Sequence, residues 1–177
     1  MKIQHRCFLP RLIKKKKLIG AELGVAAGQH ARLMLLHNKN LTLHLVDKWD
    51  GDRGHGMQER RACEDRCVVF SERVIVQQAT FQEWASLQKD GYFDFIYIDG
   101  YAHTGQGGGL TLDLAWPKLR PGGLFAGHDY HPAWQPTMDV VDVFSATHKL
   151  DMGLTSPSAS DPYPSWYLWK PVYEAAS

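Results

Sequence analysis

Short apolar runs alternate with amphipathic segments along most of the chain. The runs have the length of a strand and are bounded by glycine, acids or charged residues, so they predict buried strands at 18–23, 41–47, 73–78, 93–99 and 124–127. The segments between them predict helices at 8–17, 29–37, 58–71, 80–88 and 110–116. The pattern is weaker beyond residue 128, where it predicts a helix at 137–148 and strands at 149–154 and 166–170.

Strands that alternate with helices are typical of an α/β fold, in which a parallel sheet is covered by helices on both faces. The connections between parallel strands should be right-handed. No linker divides the 177 residues, which suffice for one hydrophobic core. We therefore expect a single domain over 1–177, with an N-terminal segment at 1–17 and a core at 18–171.

The composition excludes several classes of protein. With 44% hydrophobic and 22% charged residues the chain is globular, and its net charge of +1 gives no general attraction to nucleic acid or to a membrane surface. The apolar runs are too short to span a bilayer, and Pro10 and lysines interrupt the N-terminal ones, unlike a signal peptide. Three cysteines form neither a disulfide framework nor a zinc pattern, so we expect a reduced, cytoplasmic setting.

Positive charge is concentrated at the N-terminus. Residues 1–17 contain no acid and hold Lys2, Arg6, Arg11 and the run from Lys14 to Lys17. We interpret this segment as a solvated terminus or helix face, and the alternative is a contact for a phosphate-bearing substrate.

The residues that follow each predicted strand are the candidates for a binding site, because ligands of open parallel sheets lie beyond the carboxyl ends of the strands. These positions are occupied by Gly24 to Gly28, Asp47, Ala79 with Thr80, Asp99, and His128 with Asp129. Their convergence on one crevice is more informative than any single position.

The loop from Gly24 to Gly28 predicts a nucleotide-like ligand. Its glycines let the backbone approach a ligand closely, and the following helix offers free N–H groups to an anionic group. The spacing lacks the three glycines of a dinucleotide fingerprint, and tight packing of a turn is the alternative. Asp47 ends the second strand about 20 residues further on, where a carboxylate accepts ribose hydroxyls, unless it is a helix cap or a surface acid.

Two carboxylates and up to three histidines are the candidates for the chemistry of the site. Asp99 ends a strongly apolar strand, where a lone carboxylate is costly unless it faces a ligand, a metal or a donor. His103 follows in a glycine-rich loop, and His128, Asp129 and His131 follow the fifth strand. Asp99 and Asp129 could bind a divalent metal, or His103 or His128 could act as a general base, and an ordinary hydrogen bond is the alternative for any single histidine.

In four motifs the chain resembles class I S-adenosylmethionine-dependent methyltransferases: AELGV at 21–25, LVDKW at 45–49, FDFIYIDG at 93–100 and WPKLRPGG at 116–123. The segment AGHDY at 126–130, at the end of the fifth predicted strand, resembles the corresponding segment of methyltransferase family 24. The resemblance spans about residues 18–171. It implies a Rossmann-like, doubly wound, mostly parallel sheet of seven strands in the order 3-2-1-4-5-7-6, whose last strand is antiparallel.

The resemblance also implies roles for individual residues. The methionine part of S-adenosylmethionine would lie on Glu22, Gly24, Val25 and Gly28, its ribose on Asp47 beside Lys48 and Trp49, and its adenine on Thr80 and Phe81. Asp99 would face the methionine amine or the reaction centre. In metal-dependent relatives, acids matching Asp99 and Asp129 bind magnesium with His128 adjacent, so these three are candidates for Mg²⁺ or another divalent ion.

The chain departs from the family in two places. Relatives often have Asp-Gly-x-His after the fourth strand, whereas one more residue separates Asp99 from His103, which bears on a catalytic role of His103. The longer N-terminal extension that often shapes a substrate lid is also absent, which implies an open pocket or one completed by the second subunit of a homodimer.

We therefore expect an enzyme that methylates an oxygen of a small molecule, such as a sugar, with Asp99, His103 and His128 as catalytic candidates and with metal assistance as an option. The basic N-terminus leans toward an anionic acceptor. The alternatives are a nicotinamide-dependent oxidoreductase, against which the missing third glycine argues, a non-catalytic nucleotide-binding module, and a methyltransferase fold used for other cofactor chemistry.

Overall fold

The computed structural model describes residues 3–99, 105 and 107–172. These form a seven-stranded sheet in the order β3-β2-β1-β4-β5-β7-β6. The strands are β1 (Leu18–Leu23), β2 (Leu41–Asp47), β3 (Val74–Gln78), β4 (Phe93–Ile98), β5 (Leu119–Gly127), β6 (Met152–Leu154) and β7 (Trp166–Trp169). Strands β1 to β5 pair in parallel, and β7 runs antiparallel to β5 and β6. The predicted sheet and its order are confirmed.

Helices cover both faces of this sheet. They are α1 (Gln29–His37), α2 (Met57–Cys67), α3 (Phe81–Leu87), α4 (Leu110–Ala115) and α5 (Gln135–His148). One hydrophobic cluster joins α1 and α2 to the sheet, and a second joins α3, α4 and α5 to it. Alternate side chains of β4 enter each cluster, with Phe95 and Tyr97 in the first and Ile96 and Ile98 in the second. The most apolar strand is thus buried on both faces.

Three predicted segments differ from the structure. The predicted helix at 58–71 ends at Cys67 and continues as the 3₁₀ helix Val68–Arg73, in which Phe70 leaves helical geometry. Strand β5 begins at Leu119 rather than at 124, and its pairing with β4 shifts register between Phe93 and Phe95. The predicted helix at 8–17 is a 3₁₀ helix over Arg6–Leu12 with Pro10 inside it.

The N-terminal 3₁₀ helix packs firmly on the domain, although the sequence predicted a solvated terminus. Cys7 and Leu9 are buried in the cluster that contains α1. The side chain of Asn38 donates to the Cys7 carbonyl at 3.0 Å, and the Arg11 guanidinium donates to the His37 carbonyl at 2.9 and 3.0 Å. The segment therefore holds a fixed position over one face of the sheet.

Among the described residues, no helix combines the length and the apolar character that crossing a membrane requires.

Because Leu9 is buried, the N-terminal segment should contribute to the free energy of unfolding. Leu9 is 0% exposed, so we expect Leu9→Ala to lower the free energy of unfolding by about 2–5 kcal/mol through lost burial and a residual cavity. Urea unfolding followed by circular dichroism measures this change. Leu36→Ala, at a side chain that is 47% exposed on α1, is the control and should change little. Equal small losses in both variants would show that the segment is not anchored.

Candidate functional site

The carboxyl ends of four strands meet at one edge of the sheet. The first residue after a strand there still forms a backbone hydrogen bond to the neighbouring strand. The N–H of Gly24 donates to the Val46 carbonyl and that of Ala79 to the Asp47 carbonyl, at 2.9 and 3.0 Å. The N–H of Asp99 donates to the Leu23 carbonyl and that of His128 to the Ile98 carbonyl, at 2.9 and 3.0 Å. The first residue of each loop is therefore fixed by its neighbouring strand. This brings the predicted positions after β1, β4 and β5 into one place.

The loop after β1 has the backbone geometry that its glycines predict. Gly24 and Gly28 have φ of 89° and 78°, in the left-handed region that glycine enters without strain. A Cβ at Gly28 would lie 2.9 Å from the Cys63 sulfur, so this turn also needs glycine for space. The loop closes against α2 and leads directly into α1.

Asp47 ties the end of β2 to this loop. Its Oδ2 accepts hydrogen bonds from the backbone N–H groups of Val25 and Ala26 at 2.9 and 2.8 Å, and its Oδ1 accepts one from the Trp49 backbone at 3.3 Å. A carboxylate offers about four lone-pair positions, so one position is left for a ligand hydroxyl. Asp47 is therefore a scaffold for the loop as well as a candidate ribose contact.

Trp49, which the sequence predicted beside the ribose, is buried on the protein side of the glycine loop, and its contact with the ribose stays a prediction. The residue is 1% exposed and belongs to the cluster under α1, and its indole N–H donates to the Ala26 carbonyl at 3.0 Å. Its φ of 46° turns the chain inward directly after β2. Trp49 thus supports the glycine loop from the protein side and leaves almost no surface for a cofactor.

The predicted ribose and adenine residues line one cleft of about 360 Å³. Its wall is formed by Asp47, Lys48, Thr80, Phe81, Gln82, Gly107, Leu110 and Thr111. The Thr80 hydroxyl caps α3, since it accepts from the Glu83 N–H at 3.1 Å and donates to the Glu83 carboxylate at 2.8 Å. The Lys48 ammonium pairs with Asp50 at 3.1 Å. Both residues therefore shape the cleft, while their polar atoms are engaged elsewhere.

A closed ring of ion pairs lies at the ends of β4 and β5. The Arg6 Nη1 is 3.1 and 3.0 Å from the two carboxylate oxygens of Asp99, and its Nε is 3.4 Å from Asp161. The His128 Nδ1 is 3.5 Å from Asp99, and its Nε2 is 3.0 Å from Asp161. We refer to these four residues as the ion-pair ring. Asp129 joins it through a 3.0 Å contact with His128 Nδ1.

The ring keeps His128 protonated at neutral pH. Burial lowers the pKa of His128, but hydrogen bonds to Asp129 and Asp161 and the charge of Asp99 outweigh it and raise the pKa to about 9. Both ring nitrogens then donate. The sequence predicted a histidine near neutral pH that could act as a base, whereas His128 has no free lone pair until the solution is alkaline.

A second polar pair, Glu22 and His30, lies beside the ring. The Glu22 Oε1 is 2.9 Å from His30 Nδ1, and the two residues are 1% and 5% exposed. Burial and the charge of Asp99 raise the pKa of Glu22 well above its usual value, and burial lowers the pKa of His30 well below its own. Burial therefore favours the neutral form of both groups.

The remaining polar atoms of this pair, Glu22 Oε2 and His30 Nε2, are buried without a hydrogen-bond partner in the described structure. Such atoms cost about 1–3 kcal/mol each unless something satisfies them. Glu22 lies near the end of β1 and His30 in the first turn of α1, on either side of the glycine loop in the chain. A ligand with both donor and acceptor groups fits here. The amino acid end of S-adenosylmethionine has both groups.

Sequence reasoning found most of these residues and missed four. Asp161 lies in a loop rich in serine and proline, and Arg6 was seen only as part of a basic segment. Tyr97, whose hydroxyl is 2.8 Å from Ser165, resembled an ordinary buried strand residue. His30 could have been found, since it is the second residue after Gly28, at the start of α1. His103 lies outside the described residues, so its catalytic role stays a prediction.

Comparison with known proteins identifies the fold and the family. Residues 21–130, more than half of the chain, match the family model Methyltransf_24, described as a methyltransferase domain. A search of curated proteins found no match.

Three solved structures are similar in fold. An O-methyltransferase from Bacillus cereus in complex with SAH has a TM-score of 0.70 at 15% identity, over 93% of this chain and 80% of that one. A SAM-dependent O-methyltransferase from Thermotoga maritima has 0.67 at 13% identity, over 99% and 69%. A precorrin-6y C5,15-methyltransferase from Geobacter metallireducens has 0.66 at 16% identity, over 92% and 85%. At these identities the likeness establishes the fold.

The ion-pair ring predicts an unusual titration for His128. We expect its ring resonances in proton–carbon NMR spectra to titrate near pH 9, and Asp161→Asn to lower the pKa because the negative charge beside the cation is lost. Because the folded pKa exceeds the ordinary 6.5, the stability that His128 contributes is complete below pH 6.5 and is lost as the pH rises through 9. Asp90→Asn, at an exposed carboxylate, is the control. Titration of His128 near 6.5 in the unmodified protein would contradict the ring.

Proposed function

Because the chain belongs to this methyltransferase family and is an S-adenosylmethionine-dependent methyltransferase, we propose that it methylates a hydroxyl oxygen of a small molecule beside Asp99. The observation that carries the proposal is the position of Asp99. Its side chain is 22% exposed, whereas those of His128, Asp129 and Asp161 are 12%, 11% and 6% exposed. Of the carboxylates at this end of the sheet, Asp99 is therefore the one that an acceptor can reach most easily.

The other half of the proposal is the position of the cofactor. The unpartnered atoms of Glu22 and His30 support the methionine end, because one can accept from an ammonium and the other can donate to a carboxylate. The remaining lone-pair position of Asp47 supports a ribose contact. The cleft beside Phe81 has a volume of about 360 Å³, within the usual range for ligand sites, and supports the base.

When bound, S-adenosylmethionine supplies a methyl group on a positively charged sulfur, so the chain's own task is to align the acceptor. Asp99 accepts a hydrogen bond from the acceptor hydroxyl and thereby orients an oxygen lone pair, and it takes up the hydroxyl proton when the oxygen is methylated. Arg6 holds both oxygens of this carboxylate, which fixes its orientation. His128, already protonated, adds positive charge 3.5 Å from Asp99.

A divalent ion on Asp99, His128 and Asp129 is not part of this proposal, because the donors do not fit one. Both oxygens of Asp99 lie against Arg6, and both nitrogens of His128 face carboxylates and donate. A metal needs free lone pairs, which an imidazolium does not have.

The proposal of a hydroxyl compound as the acceptor is based on Asp99, whose carboxylate can orient a hydroxyl group. The similar folds include a C-methyltransferase as well as O-methyltransferases, so the fold alone does not choose the acceptor. An anionic acceptor loses support, since Arg6, Arg11 and Lys15 of the basic segment pair within the fold. A homodimer and a cytoplasmic location stay predictions.

Calorimetric titration with S-adenosylhomocysteine tests the cofactor site. We expect micromolar binding, and Asp47→Ala should weaken it at least about tenfold because the glycine loop loses two hydrogen bonds as well as a ribose contact. Asp90→Ala, at an exposed carboxylate, should bind like the unmodified protein. Absence of binding at millimolar ligand would overturn the proposal.

Replacement of Asp99 separates alignment from binding. With a mixture of small hydroxyl compounds and radiolabelled S-adenosylmethionine, we expect Asp99→Asn to lower methyl transfer by roughly a hundredfold because the acceptor is no longer oriented. Binding of S-adenosylhomocysteine should fall far less. Asp90→Asn serves again as the control. Unchanged transfer in Asp99→Asn would remove Asp99 from the reaction.

A further inference from the structure

The strongest feature outside the predicted site is the side chain that enters it from the N-terminal segment. Arg6 precedes β1, yet it reaches the end of β4, 93 residues away in the chain. Its side chain is 19% exposed, and its Nη1 also lies 3.4 Å from the Tyr97 hydroxyl. A charged group this far from water needs compensation, which Asp99 and Asp161 supply.

The guanidinium occupies the space that a metal ion would need. Nη1 lies nearly equidistant from both oxygens of Asp99, at 3.1 and 3.0 Å, so one cationic group faces the whole carboxylate. Nε lies 3.4 Å from Asp161, which belongs to a different segment of the chain. A divalent cation shared by these two carboxylates would have to displace Arg6.

We propose that Arg6 is the resident cation of this site, in place of a divalent metal, and that methyl transfer is therefore independent of divalent ions. The inference rests on the proposed function, since it concerns the same Asp99. Arg6 is a positioning residue: it holds the Asp99 carboxylate in one orientation and offsets its negative charge.

The anchoring of the segment makes this placement permanent. On the C-terminal side of Arg6, Cys7 and Leu9 are buried and Asn38 holds the Cys7 carbonyl. On the N-terminal side, the Ile3 carbonyl accepts a hydrogen bond from the Ser156 N–H at 2.8 Å. Arg6 is thus fixed at both ends, in contrast to a terminus that folds over a site only transiently.

Another set of donors in the described structure has the spacing of a metal site. Glu22, His30 and Asp99 each offer one atom, and these atoms lie within 4.8 Å of one another. That set shares Asp99 with Arg6, and its Glu22 and His30 already contact each other at 2.9 Å. An ion in either place must therefore compete with Arg6 for Asp99, which makes the competition measurable.

Electron paramagnetic resonance with Mn²⁺ tests the competition on the full chain, with and without S-adenosylhomocysteine. We expect the unmodified protein and Arg6→Lys to show no Mn²⁺ site tighter than about 1 mM. Arg6→Gln should gain a site at least about tenfold tighter, because the carboxylates lose their cation. Adding Asp99→Asn to Arg6→Gln should abolish that gained site.

Two results would overturn the inference. One is micromolar Mn²⁺ binding by the unmodified protein that disappears in Asp99→Asn, and the other is a folded Arg6→Gln variant that gains no site. Circular dichroism establishes whether the Arg6→Gln variant is folded. The first result is measured on the unmodified protein and on Asp99→Asn, so it does not depend on any Arg6 variant. Failure of S-adenosylhomocysteine to bind would overturn the proposed function instead, and the Mn²⁺ titration is read independently of it.

Transfer assays give a second readout. We expect activity of the unmodified protein to change less than about twofold on addition of a chelator, and Arg6→Lys to keep more activity than Arg6→Gln because it keeps the charge. Loss of activity with the chelator that Mg²⁺ restores would overturn the inference.

Discussion

The structure depends on how it accommodates negative charge at one end of its sheet. The carboxylates of Glu22, Asp99, Asp129 and Asp161 come together there, and each is buried or nearly so. Unpaired carboxylates in such surroundings would be too costly to keep. The chain solves this in two ways. Arg6 and protonated His128 pair with three of the acids, and burial raises the pKa of Glu22, which favours its neutral form.

These two solutions divide the site into parts with different tasks. The ion-pair ring is closed on itself, so the orientation of Asp99 is set before any acceptor arrives. The Glu22 and His30 pair instead keeps two buried polar atoms that have no partner among the described residues, and it therefore has hydrogen bonds to offer. The rigid part suits alignment of the acceptor, and the unsatisfied part suits binding of the cofactor.

Sequence patterns predict the parts of this molecule that local periodicity and sheet topology control. An apolar run in the sequence predicts strand β4. Asp99, the residue after it, is predicted as a site residue because ligands of parallel sheets bind beyond the carboxyl ends of the strands. Arg6 and Asp161 do not, because their roles arise from contacts across 93 and 33 residues, between segments without a periodic signal. The direction of Trp49 depends on a left-handed backbone conformation, which its residue type does not indicate.

The choice of cation determines what kind of acceptor the site can use. A divalent metal coordinates the acceptor oxygen directly and favours molecules with two neighbouring oxygens that can chelate it. A guanidinium has no empty coordination position for an oxygen, so Arg6 orders Asp99 without coordinating the acceptor as a metal would. Under the proposed function, with Arg6 in this place, a single hydroxyl that donates to Asp99 is sufficient for alignment. Selectivity must then come from the shape of the walls around Asp99, rather than from a chelating pair of oxygens on the acceptor.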